Sequence, residues 1–174
     1  KNFGDNTAYA QQYASLPRQE LSTVEVNGVK LNVILVKPAN MSPGKKYPLI
    51  INQYSGPGSQ EVLDRWSPDW TRYFATQGYA VATIDPHGTG GRGRAFMDAV
   101  YCKLGITETS DLVAAAKALA ATDWIDADRI GIYGWSYGGY EALMCATAPQ
   151  SPFKATVAVA PVTDWRYYDT AYTE

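Results

Sequence analysis

Gly134-Trp135-Ser136-Tyr137-Gly138-Gly139 is the stretch on which the reading of this chain turns. It contains Gly-x-Ser-x-Gly, the spacing of a nucleophile elbow, in which a serine sits on a strained turn between a strand and a helix. Both flanks carry the matching signal. Residues 129–134 (Arg-Ile-Gly-Ile-Tyr-Gly) are apolar and partly β-branched and suit a short buried strand. Residues 140–148 are rich in Ala, Leu and Met and suit a helix. Gly134 and Gly138 fit the turn because a Cβ at either position would crowd the backbone. Such a turn lifts the Ser136 hydroxyl above the sheet. It also aims the first N–H groups of the following helix at the place where an oxyanion would form. The same pattern occurs in purely structural turns, and it is the flanking strand and helix that favour the catalytic reading.

Outward from the elbow the chain alternates strands and helices. Residues 23–26 and 31–37 read as strands around an Asn27-Gly28 turn. Residues 38–48 are a loop, and 49–54 a buried strand followed by Gly56-Pro57-Gly58. A helix is predicted over 70–76 and an apolar strand over 80–85. Ser110 is a candidate cap for a helix carrying Leu112, Val113, Ala116, Leu119 and Ala120 on one face. Residues 155–160 suit one more buried strand, and nothing after 160 reads as a strand. Residues 1–20 are polar, with Tyr9 and Tyr13 at helical spacing and Pro17 as a stop, which predicts a short helix and a linker. The alternation places the chain in the α/β class, with a mostly parallel sheet and helices on both faces.

Composition bounds the function. The chain has 174 residues, 46% hydrophobic and 18% charged, enough for one domain with a sizeable core. A net charge of −2 offers no basic surface for nucleic acid, and no apolar run is long enough to span a membrane. Cys102 and Cys145 match no metal-ligand spacing, and Cys145 falls in an apolar helix as a buried thiol. No metal or cofactor is called for. Gly88-x-Gly90-x-x-Gly93 follows a strand but is interrupted by Arg92, so a flexible loop at the site rim is the better reading than a dinucleotide fingerprint. His87, the one histidine, precedes Ser136, which reverses the order expected after an elbow serine. It reads as a polar loop residue bonded to Asp85 or to backbone. Asp164 and Asp169 follow Ser136, and each reads as a loop or helix-start residue. Trp165, Tyr168 and Tyr172 recur on one helical face, as a core stripe or as the wall of an aromatic pocket.

Three motifs together resemble a known family. Gly134 to Tyr140, the aromatic segment Ala160 to Glu174, and Gln53-Tyr54-Ser55-Gly56-Pro57-Gly58-Ser59-Gln60 are similar, in that order, to the elbow, pocket segment and oxyanion loop of the dipeptidyl peptidase IV branch of the prolyl oligopeptidase family. The resemblance implies a partial α/β-hydrolase fold whose last strands are missing. Ser136 would be the nucleophile, and the Tyr137 backbone N–H and Tyr54 hydroxyl the oxyanion hole. Tyr137, Val162, Trp165, Tyr168 and Tyr172 would line a proline pocket. The implied reaction is release of N-terminal X-Pro or X-Ala dipeptides through an acyl-enzyme; an esterase or acylaminoacyl peptidase, or an inert module, is the alternative. The resemblance further implies a triad Asp and His beyond Glu174, a link from a propeller in residues 1–20, and an extracytoplasmic enzyme. His87 stands where that branch usually has arginine. With no histidine after Ser136, residues 1–174 alone are expected to be inactive, and a bare edge at 155–160 is expected to make them dimeric or swapped through that edge, or poorly soluble.

Overall fold

The structure, a computed structural model, describes residues 4–65 and 67–173. Residues 1–3 of the predicted N-terminal segment and Glu174 of the aromatic segment lie outside the described residues. In chain order the elements are α1 (Thr7–Ala14), β1 (Gln19–Val26), β2 (Val29–Val36), β3 (Tyr47–Asn52), α2 (Trp70–Thr76), β4 (Ala80–Asp85), α3 (Arg94–Met97), α4 (Thr107–Ala120), β5 (Ile125–Trp135), α5 (Tyr137–Thr147), β6 (Ala155–Val159) and α6 (Thr170–Thr173).

Among the described residues the sheet has six strands in the order β1-β2-β4-β3-β5-β6. The β1–β2 hairpin and the β2–β4 pairing are antiparallel. From β4 through β3 and β5 to β6 all pairings are parallel. This is the mostly parallel α/β sheet that the alternation predicts. Asn27 and Gly28 both adopt positive φ, as a tight hairpin turn requires.

Period-two alternation decides which helix covers which face. Leu31 and Val33 of β2, Leu49 and Ile51 of β3, and Ile130 and Ile132 of β5 pack with Leu112, Ala115 and Ala116 of α4 and Ala142 and Cys145 of α5. Each aliphatic side chain fully removed from water here contributes roughly 1.5–3 kcal/mol. The out-of-phase residues Ile34 and Val36 pack instead with Ala75 of α2 and with Val62 of the segment between β3 and α2. Helices therefore lie on both faces. Every residue of β4 is buried, as a strand covered on two sides must be.

The observed boundaries differ from expectation in instructive ways. Strand β1 starts at Gln19, inside the stretch read as linker, because its pairing with β2 extends back to Gln19↔Val36. Helix α4 begins at Thr107, so Ser110 lies within its first turns and does not cap it. The Gly88–Gly93 loop is pinned: the Gly88 N–H donates to Phe96 O at 2.9 Å, the Gly90 N–H to Ser59 O at 2.7 Å, and Thr89 is buried with its hydroxyl on Pro86 O at 2.7 Å. It is an anchored turn and not a flexible rim.

Candidate active site

Strand β5 enters the elbow and α5 leaves it, with Ser136 as the hinge. Ser136 has φ 57° and ψ −115°, a conformation that a non-glycine residue rarely adopts. Neighbouring bonds hold it there. The Ser136 N–H donates to Val159 O of β6 at 2.9 Å, and the Ser136 carbonyl accepts the first helical bond of α5 from Tyr140 N–H at 3.1 Å. The strain falls on the serine alone, because Gly134 and Gly138 have no positive φ. Their need for glycine is steric. A Cβ on Gly134 would lie 2.0 Å from Gly138 O, and one on Gly138 would lie 2.6 Å from Gln53 O and 3.0 Å from the Tyr54 Cα. The missing side chains let the loop after β3 close directly onto the elbow.

That closure brings in Gln53, a residue to which sequence reasoning gave no role. Its buried amide donates from Nε2 to Gly138 O at 2.7 Å, and its Oε1 accepts from the Ser55 hydroxyl at 2.7 Å. Ser55 sits at φ 65° and is fully buried. The half-buried Tyr54 between them is thereby fixed beside the elbow, its ring 6.3 Å from that of Tyr137.

The aromatic segment gathers on the same side. Trp165 lies 5.3 Å from Tyr137, 5.2 Å from Tyr140 and 5.8 Å from Tyr172, ring centre to ring centre, and stacks on Tyr172 at 17°. Tyr168 meets Tyr172 edge-on at 5.4 Å. Trp165, Tyr168 and Tyr172 do not share one helical face, as their spacing predicts. Trp165–Tyr167 is a 3-10 turn, Tyr168 is extended, and α6 starts at Thr170. Asp164 opens the 3-10 turn by accepting from Arg166 N–H at 3.0 Å, and Asp169 accepts from Tyr172 N–H at 2.9 Å. The two breaks bend the segment so that the rings converge. Tyr168 and Tyr172 stay partly exposed, which a core stripe would not. Val162 is half-buried in the chain leading to them. Burial first, and then the neighbouring Tyr54 hydroxyl, push the Tyr172 phenol up to about 12.

Beneath the elbow lies a buried polar cluster that no motif in the sequence marks. The Tyr137 hydroxyl donates to Glu108 Oε1 at 2.7 Å, and the Gly105 N–H reaches the same oxygen at 3.2 Å. Thr109 Oγ1 lies 2.7 Å from Gly105 O and 2.5 Å from Glu141 Oε1. One hydroxyl proton serves only one of these acceptors, so the second contact is satisfied when Glu141 carries a proton. Burial raises the Glu141 carboxyl to about 8 and also raises Glu108. A lone Glu in the otherwise apolar helix 140–148 was the available signal. The sign for stability follows from the raised value. The folded state binds the proton more tightly than the unfolded chain, so this stabilisation is complete below about pH 4.5 and is lost as pH rises through about 8. Glu141→Gln is expected to remove a loss on the order of 2–4 kcal/mol across that window. Thermal unfolding at pH 5 and pH 8 would read it, and an unchanged slope in the variant would refute it.

His87 does not join the elbow. Its N–H and its ring Nδ1 meet Asp111 Oδ2 at 3.0 Å and 2.6 Å, its ring stacks on Phe96 at 4.4 Å, and Asn27 Nδ2 holds the other Asp111 oxygen at 3.2 Å. The expected partner Asp85 is already engaged by the N–H groups of Glu61 and Val62 at 3.0 and 2.9 Å. Strand β3 lies between β4, which ends at Asp85, and β5, which ends at the elbow. Two strand spacings, about 9–10 Å, therefore separate the turns that carry His87 and Ser136. The two cysteines are free, Cys145 buried as expected and Cys102 exposed. Among the described residues no cluster of His, Cys, Asp and Glu could hold a metal ion, and no helix is long and apolar enough to cross a membrane. A groove of about 750 Å³ opens away from the serine. It lies on the α2 face of the sheet among Ile50, Trp70, Phe74, Tyr133 and Val157, with no elbow side chain in its wall after Tyr133.

Known proteins are similar to this chain in sequence and fold. The chain is 45% identical over 174 residues to a protein of Grosmannia clavigera described as "Probable dipeptidyl-aminopeptidase B", covering 95% of this chain and 18% of that protein. A protein of Pyrenophora tritici-repentis with the same description is 45% identical over 161 residues, again over 18% of its length. The crystal structure of Porphyromonas gingivalis dipeptidyl peptidase 4 superposes with a TM-score of 0.94 at 44% identity, over 98% of this chain and 25% of that one. The fold is thus part of the α/β-hydrolase arrangement of that enzyme, and the chain spans about a fifth of the length of the curated relatives it matches. The profile of the prolyl oligopeptidase family matches residues 66–174, which takes in the elbow, β6 and the aromatic segment, and the chain belongs to that family.

Proposed function

We propose that this chain carries the nucleophile, oxyanion hole and proline pocket of a serine dipeptidyl aminopeptidase. The single observation that carries the reading is Ser136 at φ 57°, on a turn flanked by Tyr54 and by a converging set of aromatic rings. In this reading the Ser136 Oγ attacks the carbonyl carbon after the second residue of a peptide. The negative charge that develops on the carbonyl oxygen is met by the Tyr137 N–H and the Tyr54 O–H. The C–N bond breaks, the remainder of the peptide leaves as an amine that takes up the proton given by Ser136, the N-terminal dipeptide remains as an ester on Ser136, and water then hydrolyses that ester to the free dipeptide and restores the serine hydroxyl. Tyr137, Val162, Trp165, Tyr168 and Tyr172 enclose the second side chain. Flat rigid rings complement the pyrrolidine of proline, and alanine would fill the same space less completely.

The proton acceptor for Ser136 comes from outside residues 1–174, because His87 is committed to Asp111 and stands two strands away. Residues 21–174, joined by Gln19 and Glu20 at the start of β1, form the nucleophile-bearing part of a catalytic domain, and the rest of residues 1–20 its approach. The substrate is a peptide with a free amine. Strand β6, an edge among the described residues, would be where a second copy pairs if residues 1–174 were produced alone.

The test is fluorophosphonate labelling of Ser136 in the protein at its natural length, alongside hydrolysis of Gly-Pro and simple acyl esters. Labelling with a strong preference for Gly-Pro is the expected result. Labelling with ester preference would move the reading to an esterase, and absence of labelling to an inert module. Tyr54→Phe, which removes one oxyanion donor and little volume, is expected to lower kcat by roughly 10–10³-fold with a smaller change in KM. A kcat within twofold of the parent would remove Tyr54 from the oxyanion hole.

A further inference from the structure

We propose that Glu108 is a positioning residue for the pocket, holding the Tyr137 ring in place through the tyrosine hydroxyl; the functional consequence rests on the reading above. Tyr137 is the first residue of α5, and its N–H and its ring are assigned different tasks there. The ring is almost fully buried and is the hub of the aromatic set, with Tyr54, Tyr140, Trp165 and Tyr172 all packed around it. A buried tyrosine needs a partner for its hydroxyl, and Glu108 provides it at 2.7 Å from another helix.

Glu108 is well placed to be that fixed point. It is fully buried, and it lies in the first turn of α4, where the helix dipole favours a carboxylate. The Gly105 N–H grips the same oxygen that Tyr137 uses. The carboxylate therefore ties the start of α4 to the start of α5. Its second oxygen, Oε2, is buried with no partner. Purely structural burial would be served better by an apolar side chain, since an incompletely satisfied buried carboxylate is unfavourable. What the carboxylate supplies and an apolar residue cannot is a directed acceptor that fixes the rotation of the Tyr137 ring. With that acceptor removed, the hydroxyl is left to seek another partner. The ring that forms the floor under Trp165 and Tyr172 would tilt, and the turn carrying Ser136 would shift with it.

The experiment uses the natural-length protein with Glu108→Ala, Glu108→Gln, Tyr137→Phe and the Glu108→Ala/Tyr137→Phe pair. Activity is counted per serine titrated by fluorophosphonate, so that misfolded protein drops out. Glu108→Ala is expected to lower kcat/KM for a Gly-Pro substrate about 10–100-fold. Glu108→Gln, which keeps the acceptor oxygen, should remain within about threefold of the parent, and the double variant should be no worse than Glu108→Ala. Full activity per labelled serine in Glu108→Ala, or equal losses in the Ala and Gln variants, would overturn the proposal. A second readout is independent of activity: a crystal structure of the Ala variant. A Tyr137 ring displaced from Trp165 supports the assignment, and a ring still 5.3 Å away overturns it. If the parent itself fails to cleave Gly-Pro, the functional reading fails, while the crystal structure still decides the role of Glu108.

Discussion

Ser136→Ala in the natural-length protein is expected to cut Gly-Pro hydrolysis by roughly 10⁴–10⁶-fold, because the loss of an elbow serine removes the covalent route and leaves only binding and the oxyanion hole. The loss should fall on kcat and spare ligand affinity. The converging aromatic rings do not depend on the Ser136 hydroxyl: Trp165 rests on Tyr137, Tyr140 and Tyr172. Stability should change little or rise, since alanine removes a hydroxyl from a half-buried site. It cannot relieve the backbone, because alanine is no more at ease at φ 57° than serine is. Ser136→Gly would relieve it, and should stabilise the fold while being just as inactive. A Ser136→Ala protein that retained a hundredth of the parental kcat would place the nucleophile elsewhere.

Gly134→Ala should have the largest effect on the fold. Its single methyl group would have to occupy space 2.0 Å from Gly138 O, 2.3 Å from Gly138 C and 2.5 Å from Gln53 Nε2. Two of these atoms are backbone of the first turn of α5 and cannot rotate away. The third is the amide that clamps the β3 loop to the elbow. Relief requires β5 and α5 to separate, which breaks the Gln53 clamp and the seat of Tyr54 together. A penalty of about 4 kcal/mol or more is expected, at the upper end for a point substitution. Gly131→Ala is the control on the same strand: its Cβ would meet nothing nearer than Ala155 O at 3.5 Å, an ordinary contact. Denaturant unfolding of the two variants should separate them clearly. Equal midpoints would mean that the elbow is far more compliant than its contacts indicate.

Much of the architecture was legible because it follows from local pattern. The apolar runs at 80–85 and 129–134 became β4 and part of β5, and Asn27-Gly28 made the hairpin. Gly-x-Ser-x-Gly fixed the elbow, because steric crowding at Gly134 and Gly138 is a property of the turn and not of distant residues. What sequence could not disclose was pairing at long separation. The Tyr137–Glu108 bond spans 29 positions and the Gln53–Gly138 bond 85, and no periodicity links such residues. Asp85 or backbone is the local partner that the sequence offers His87, whereas the fold delivers Asp111, 24 positions away on α4. The aromatic segment misled in a different way. The i, i+3, i+7 spacing of Trp165, Tyr168 and Tyr172 mimics a helix, but Asp164 and Asp169 cap two separate turns there.

The bond from the Ser136 amide to the Val159 carbonyl makes Ser136 a reporter on its neighbour strand. That amide exchanges its hydrogen with solvent only when the end of β6 detaches from β5 or the turn opens. Val159 is also the last residue of β6 before the chain turns towards Pro161, Val162 and the aromatic rings. A ligand that draws those rings together would steady this strand end, and the serine amide should then exchange more slowly without being touched. Occupancy of the pocket would thus be recorded, in deuterium uptake, at the atom next to the chemistry.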